Sequence, residues 1–206
     1  ESLGLLLALG TLLALFAHRH VTAAGLLLLI GVALPIAAPL AVVVVLHLAV
    51  DLTRPGARRR PDAGQLLLLA ACPVAVLAWP VIAAVVTGRI DAYPASMSAW
   101  RGGRPVALFT PWRSFADHHL GAPWGTLALI AAAGAFAVLV ARAGRLPVEL
   151  RVWCIAYVGY LLAVLDPSTS VVRYGLLLFP LAAWAVAVTD PYPGWRRAVP
   201  WALLVT

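Results

Sequence analysis

Two polar stretches of this chain hold the residue types able to do chemistry. In the first, from Gly88 to Pro123, Asp91, Tyr93, Trp100, Arg101, Arg104, Trp112 and Arg113 set aromatic ring faces among guanidinium groups. The planar guanidinium fork matches a phosphate, and the rings offer faces for stacking. The second stretch reads Asp166-Pro167-Ser168-Thr169-Ser170-Val171-Val172-Arg173-Tyr174 between two apolar runs. Ionisable groups at the edge of an apolar layer need a partner, a cavity or water. Asp166 and Arg173 therefore either pair with each other beside a helix cap at Ser168 or Ser170, or face a ligand whose anionic group meets the free N–H groups of a helix starting near Ser170.

The histidines carry less. His118-His119 beside Asp117 invites a metal reading, but adjacent imidazoles diverge and no third ligand stands at a known spacing, so no metal is assigned. His47, inside an apolar run, is expected to satisfy a neighbouring polar group, and His18 and His20 read as solvated connector residues. No phosphate-binding glycine loop or nucleophile elbow is present.

The elements that must position these residues are apolar. Of the 206 residues, 63% are hydrophobic and 11% charged, against about half and a quarter in soluble domains. That excludes a soluble domain, a disordered chain and a coiled coil. A helix needs about 20 apolar residues to cross a bilayer. The runs at 3–17, 21–34, 36–50, 65–86, 124–141, 152–165 and 174–188 predict an all-α polytopic transmembrane bundle in one domain over residues 1–206. A truncated eighth run starts at 199. Pro35 and Pro39 are expected to divide the apolar stretch from Val21 to Val50, because proline removes a donor and clashes with the preceding turn. Opening on Glu1 and closing inside an apolar run, the chain is expected to be a piece of a longer protein.

All fifteen basic residues are Arg, which points to a GC-rich genome, and the net charge is +7. The arginines fall between the apolar runs, where they orient spans and do not make a nucleic-acid footprint. Alternating the spans places ten Arg (19, 54, 58, 59, 60, 142, 145, 151, 196 and 197) on the inner side and five (89, 101, 104, 113 and 173) on the outer. Basic residues favour the cytoplasmic side. The stretch 88–123 is thereby expected outside a bacterial plasma membrane, as a loop that either caps the membrane surface or covers a ligand site. Trp124, Trp153, Trp195 and Trp201 fall near span ends, where interfacial aromatics collect. Cys72 and Cys154, within apolar runs, read as small hydrophobes.

Several motifs in series resemble one family. Glu1-Ser2-Leu3 opens an apolar helix; Asp91-Ala92-Tyr93 is followed by Ala99-Trp100-Arg101-Gly102-Gly103 and Pro111-Trp112; the 166–174 stretch is followed by Phe179-Pro180-Leu181. Together they resemble the PIG-V-like (GPI mannosyltransferase 2-like) integral membrane mannosyltransferases of actinobacteria, of the GT-C superfamily. The resemblance implies transfer of mannose from a polyprenyl- or dolichyl-phosphate carrier to a lipid or glycan acceptor on the outer face. It implies that the catalytic base is an acidic residue in the first outer loop, upstream of the Glu1-Ser2-Leu3 helix, with Glu1 and Asp166 as weaker alternatives here. Substrate contacts then fall to Arg173, Tyr174, Arg101, Trp100, Tyr93 and Asp91. At Ala33-Leu34-Pro35 the chain departs from the Thr-Arg-Pro that relatives often carry. Two other functions fit the same apolar composition: a transporter or flippase of a lipid-linked molecule, and a non-catalytic membrane assembly subunit.

Overall fold

A computed structural model describes residues 2–53, 60–103, 107–144, 146–167 and 174–189, the side chains of 183 and 186–189 excepted. Every regular element among them is helical. The helices are α1 (Ser2–Phe16), α2 (His20–Ala33), α3 (Ala37–Thr53), α4 (Ala63–Thr87), α5 (Ala92–Trp100), α6 (Thr110–Leu120), α7 (Trp124–Ala141), α8 (Val148–Val164) and α9 (Phe179–Thr189), with a 3-10 turn over Gly175–Leu178 before α9.

The helix ends follow from local chemistry. Leu34 is extended (φ −151°, ψ 142°) and closes α2, because the residue before a proline is driven out of the helical region. Asp62 starts α4 with a reciprocal capping box: its carboxylate accepts the Gln65 N–H at 2.8 Å, and the Gln65 side chain accepts the Asp62 N–H at 3.0 Å. Gly88, at φ +71°, ends the same helix in the left-handed region that costs glycine least. The α1–α2 connection is a Schellman turn. His18 N–H bonds the Leu15 carbonyl at 2.9 Å, Arg19 N–H bonds Ala14 at 2.8 Å, and His18 takes φ +52°. Glycine or asparagine usually fills that position.

α2 packs between α1 and α4, α3 lies against both α4 and α8, and α8 also meets α6, α7 and α9. Leu12, Leu15, Leu27, Ile30, Leu40, Val43, Val44 and Leu68 are fully buried among these helices. Gly31 lets α2 approach α4 at backbone distance; a Cβ there would sit 2.5 Å from the Ala75 carbonyl oxygen. α3 and α8 run antiparallel, joined by His47 and Glu149 at one end and by the Tyr160 hydroxyl donating to the Pro35 carbonyl at the other. The His47 end is the base of the bundle and the Pro35 end its cap.

The outward faces stay apolar. α4, of 25 residues, and α7, of 18, are each long and apolar enough to cross a membrane, and α1, α2 and α3 are shorter apolar helices. Val85 and Val86 on α4 are each 78% exposed and Ile130 on α7 is 63% exposed, so both helices turn apolar side chains outward.

Three expectations change. The stretch 88–123 holds two short helices, α5 and α6, where a loop was anticipated; its Pro94 and Pro111 fall in first turns, where proline is tolerated. Trp153 is not an interfacial anchor: it is wholly buried, stacks on Tyr157 with centroids 5.2 Å apart, and donates its Nε1–H to the Leu177 carbonyl at 2.8 Å. An indole buried this way needs that acceptor. His20 is not solvated; only 9% of it is exposed.

Candidate functional site

At the cap end, α5 finishes at Trp100 and leaves Arg101 beside the end of α8. Arg101 Nε lies 3.2 Å from Asp166 Oδ2, and its Nη2 donates to the Val164 carbonyl. That carbonyl is among the last of α8, which have no partner inside their own helix. The Arg101 side chain is 9% exposed and that of Asp166 34%, so the guanidinium is held where an unpaired charge would be costly. Phe109 N–H, bonded to the Ala163 carbonyl at 2.9 Å, ties the start of α6 to the same helix end.

These contacts frame a cleft of about 490 Å³ lined by Arg101, Thr110, Ser114, Phe115, His118 and Asp166, with Ala107, Pro111 and Pro167 completing the wall. Its walls combine apolar surface with one cation, one carboxylate, two hydroxyls and one imidazole. Such a mixture fixes a polar ligand by a few groups and covers the rest of it with apolar contact. Beneath, a second cavity of about 190 Å³ brings Tyr93 of α5 to Tyr160 and Val164 of α8 and to Trp79 of α4. Tyr160 also lines an apolar groove of about 380 Å³ between α3 and α8, with Pro39, Val42, Val152 and Ile155. Tyr174 joins the same region: its carbonyl accepts the Tyr157 hydroxyl at 3.1 Å, and its ring lies within electrostatic range of Tyr160.

The anticipated site residues thus separate. Arg101, Asp166, Tyr93 and Tyr174 gather at the cap end around α8. Trp100 is 86% exposed and lines none of these cavities. Asp91 is exposed and bound to Arg89, whose Nη2 reaches it at 2.7 Å and Nε at 3.1 Å; the guanidinium holds its carboxyl below the usual range. Arg113 is exposed on α6, and Trp112 is half-buried. Asp166 pairs with Arg101, while Arg173, its anticipated partner, lies outside the described residues, as do Glu1, Arg104, Ser168 and Ser170. Asp117 is structural: its carboxylate accepts the Thr126 N–H at 2.7 Å.

Sequence reasoning missed Thr110, Ser114 and Tyr160. Thr110 and Ser114 stand four apart, and with His118 they form one i, i+4, i+8 face of α6. That spacing was the available signal, hidden because the stretch read as a loop.

No family model, no curated protein and no solved structure matches this chain.

Proposed function

We propose that the chain is a multi-pass membrane glycosyltransferase, with the cap end outward, which takes a sugar from a polyprenyl-phosphate carrier and passes it to a lipid or glycan acceptor. The observation that carries this reading is the cap-end cleft. Arg101 stands there, fixed by Asp166 and the Val164 carbonyl, beside the hydroxyls of Thr110 and Ser114. A buried guanidinium matches the carrier phosphate, and hydroxyl and imidazole groups match a sugar. The apolar groove between α3 and α8, reached past Tyr160, has the character an isoprenoid chain requires.

The membrane setting is supported by α4 and α7 and by the outward apolar faces of the shorter helices. The excess of Arg assigned to the base end supports the orientation. The resemblance to PIG-V-like enzymes narrows the sugar to mannose. Removing a proton from the acceptor hydroxyl needs a general base, and Asp166 and His118 are the cleft groups able to receive it.

The test is sugar transfer from radiolabelled polyprenyl-phosphate mannose by membranes holding the protein expressed from its complete gene. Label is expected in a lipid or glycan product, and Arg101→Gln is expected to abolish most of it. Movement of the carrier across the membrane without covalent transfer would overturn the enzymatic reading in favour of a transporter. Transfer undiminished in Arg101→Gln would remove the cleft from the mechanism.

A further inference from the structure

Opposite the cleft, at the base, four side chains from two helices and one connection turn toward one point. His18 comes from the α1–α2 turn, His20 from the first residue of α2, and His47 and Asp51 from successive turns of α3. One ligand atom of each lies within 4.8 Å of the other three. His47 Nε2 is 3.3 Å from Asp51 Oδ2, and His18 Nδ1 is 3.4 Å from the same oxygen. In a tetrahedral site with bonds of about 2.0–2.1 Å, neighbouring ligand atoms stand about 3.3 Å apart. These two edges already have that length.

The surroundings fit a metal better than an ordinary ion pair. His47 is 3% exposed and touches carboxylates on both ring nitrogens, since Nδ1 lies 3.0 Å from Glu149 Oε1 on α8. A neutral imidazole carries one N–H and can satisfy only one of them. If Nδ1–H donates to Glu149, Nε2 presents a lone pair toward Asp51, and a cation between them resolves the contact. A carboxylate that fixes the far nitrogen is the usual outer partner of a metal-bound histidine. Neither His47 Nε2 nor His20 Nε2, both buried, has a hydrogen-bond partner among the described residues. The carboxylates of Asp51 and Glu149 together balance a divalent charge.

Access and local geometry agree. His18 is 56% exposed on its side chain, and a cavity of about 370 Å³ lined by His18, Arg19, His20, Asp62 and Gly64 opens beside it. His20 Nδ1 faces Asp62 at 4.0 Å, which brings the cap of α4 next to the cluster. His18 holds a left-handed conformation that glycine adopts at lower cost, so its side chain is placed there against local preference.

We propose that His18, His20, His47 and Asp51 bind a divalent transition metal of the zinc class, with Glu149 orienting His47. Three imidazoles and a carboxylate select such an ion over calcium or magnesium, which prefer oxygen ligands. The metal staples the α1–α2 connection to α3 and, through Glu149, to α8. The site is independent of the cap-end cleft and of the reaction assigned to it.

The experiment uses the full-length protein in detergent, freed of any affinity tag and dialysed against metal-free buffer. Zinc titration followed by elemental analysis is expected to give one tightly held zinc per chain. Cobalt in its place should give the intense visible absorption of a tetrahedral ion. His18→Gly removes a ligand where glycine suits the backbone, so its helical circular dichroism should stay intact while affinity falls at least about tenfold; Glu149→Gln should lower affinity about 10–100-fold. His119→Ala, on α6 and away from the cluster, should bind as the parent does. Absence of retained zinc in the parent, or equal retention in folded His18→Gly and Glu149→Gln, would overturn the proposal.

Discussion

The guanidinium of Arg101 and the carboxylate of Asp166 meet 3.2 Å apart, joining the end of α5 to the end of α8 across the mouth of the cap-end cleft. Arg101 also donates to the Val164 carbonyl, so the interaction depends on a fork that lysine does not have. Arg101→Lys should keep the charge yet lose the second bond, lowering stability by about 1.5–3 kcal/mol, the range for hydrogen bonds to charged groups. Asp166→Ala removes the carboxylate beside the buried guanidinium. Asp166 is a third exposed, so its loss should fall between the ~1 kcal/mol of a surface pair and the ~3–5 kcal/mol of a buried one. Thermal unfolding of the purified variants in one detergent checks both; parental stability in Arg101→Lys would show that the Val164 contact contributes nothing.

Two glycines on α2 should respond in opposite directions to the same change. At Gly31 a Cβ would lie 2.5 Å from the Ala75 carbonyl oxygen and 2.7 Å from its Cα, and backbone atoms cannot rotate away. Gly31→Ala must push α2 from α4 and is expected to cost about 1–3 kcal/mol. At Gly25 nothing lies within 4 Å of the added carbon. Gly25→Ala should stabilise the helix by about 0.5–1 kcal/mol through the unfolded chain's lost freedom. Denaturation curves that moved the same way for both would contradict the close α2–α4 approach.

The apolar elements were legible because helix formation and burial leave local marks. The runs from Leu3 to Val86 gave α1 to α4 within a few residues, and Pro35 located the break between α2 and α3 through its effect on Leu34. The polar stretch was harder. On α6, Trp112, Phe115 and Ala116 do stand at helical spacing, but the glycines and prolines around them give the stretch the character of a connection, and the alignment of Thr110, Ser114 and His118 stayed hidden. Pairing across the fold was not legible at all: Asp166 has Arg173 near it in sequence, but Arg101 reaches it because α5 and α8 finish at the same end. At the base, the His47 and Asp51 spacing of one helical turn was readable, whereas the convergence of His18 and His20 depends on a Schellman turn that places histidine where glycine is usual.

Asp91 should titrate as the partner of Arg89. Its carboxyl lies below the usual aspartate value of about 3.9, chiefly because the Arg89 side chain hydrogen-bonds to it. A folded value below the unfolded one stabilises the native state at pH above the unfolded value. That contribution is lost as pH falls through the folded value. Both groups are fully exposed, so the effect belongs to the start of α5 and not to global stability. Carbon-detected NMR of labelled Asp should show the low midpoint, and Arg89→Gln should move it back up; an unchanged midpoint in that variant would dissociate the pair.

The wall of the cleft formed by α6 should depend on its junction with α7. Pro123, at the head of α7, has no side-chain acceptor for the free N–H groups there, and Asp117 supplies one from α6: it accepts the Thr126 N–H at 2.7 Å and the Thr126 hydroxyl at 2.8 Å. Asp117→Ala removes a cap and should cost about 1–2 kcal/mol. Asp117→Asn keeps an acceptor and should cost less, because only the charge opposite the positive helix end is lost. Gly125 makes the same junction sterically, since a Cβ there would stand 2.2 Å from the Ala116 carbonyl carbon and oxygen. Gly125→Ala must therefore lift α6 from α7 as a unit, carrying Ser114 and His118 away from Arg101 and Asp166. The expected signature is a loss of sugar transfer larger than the loss of stability, with Asp117→Asn nearly normal in both. If Gly125→Ala lowers stability and leaves transfer intact, α6 does not form a working wall of the cleft.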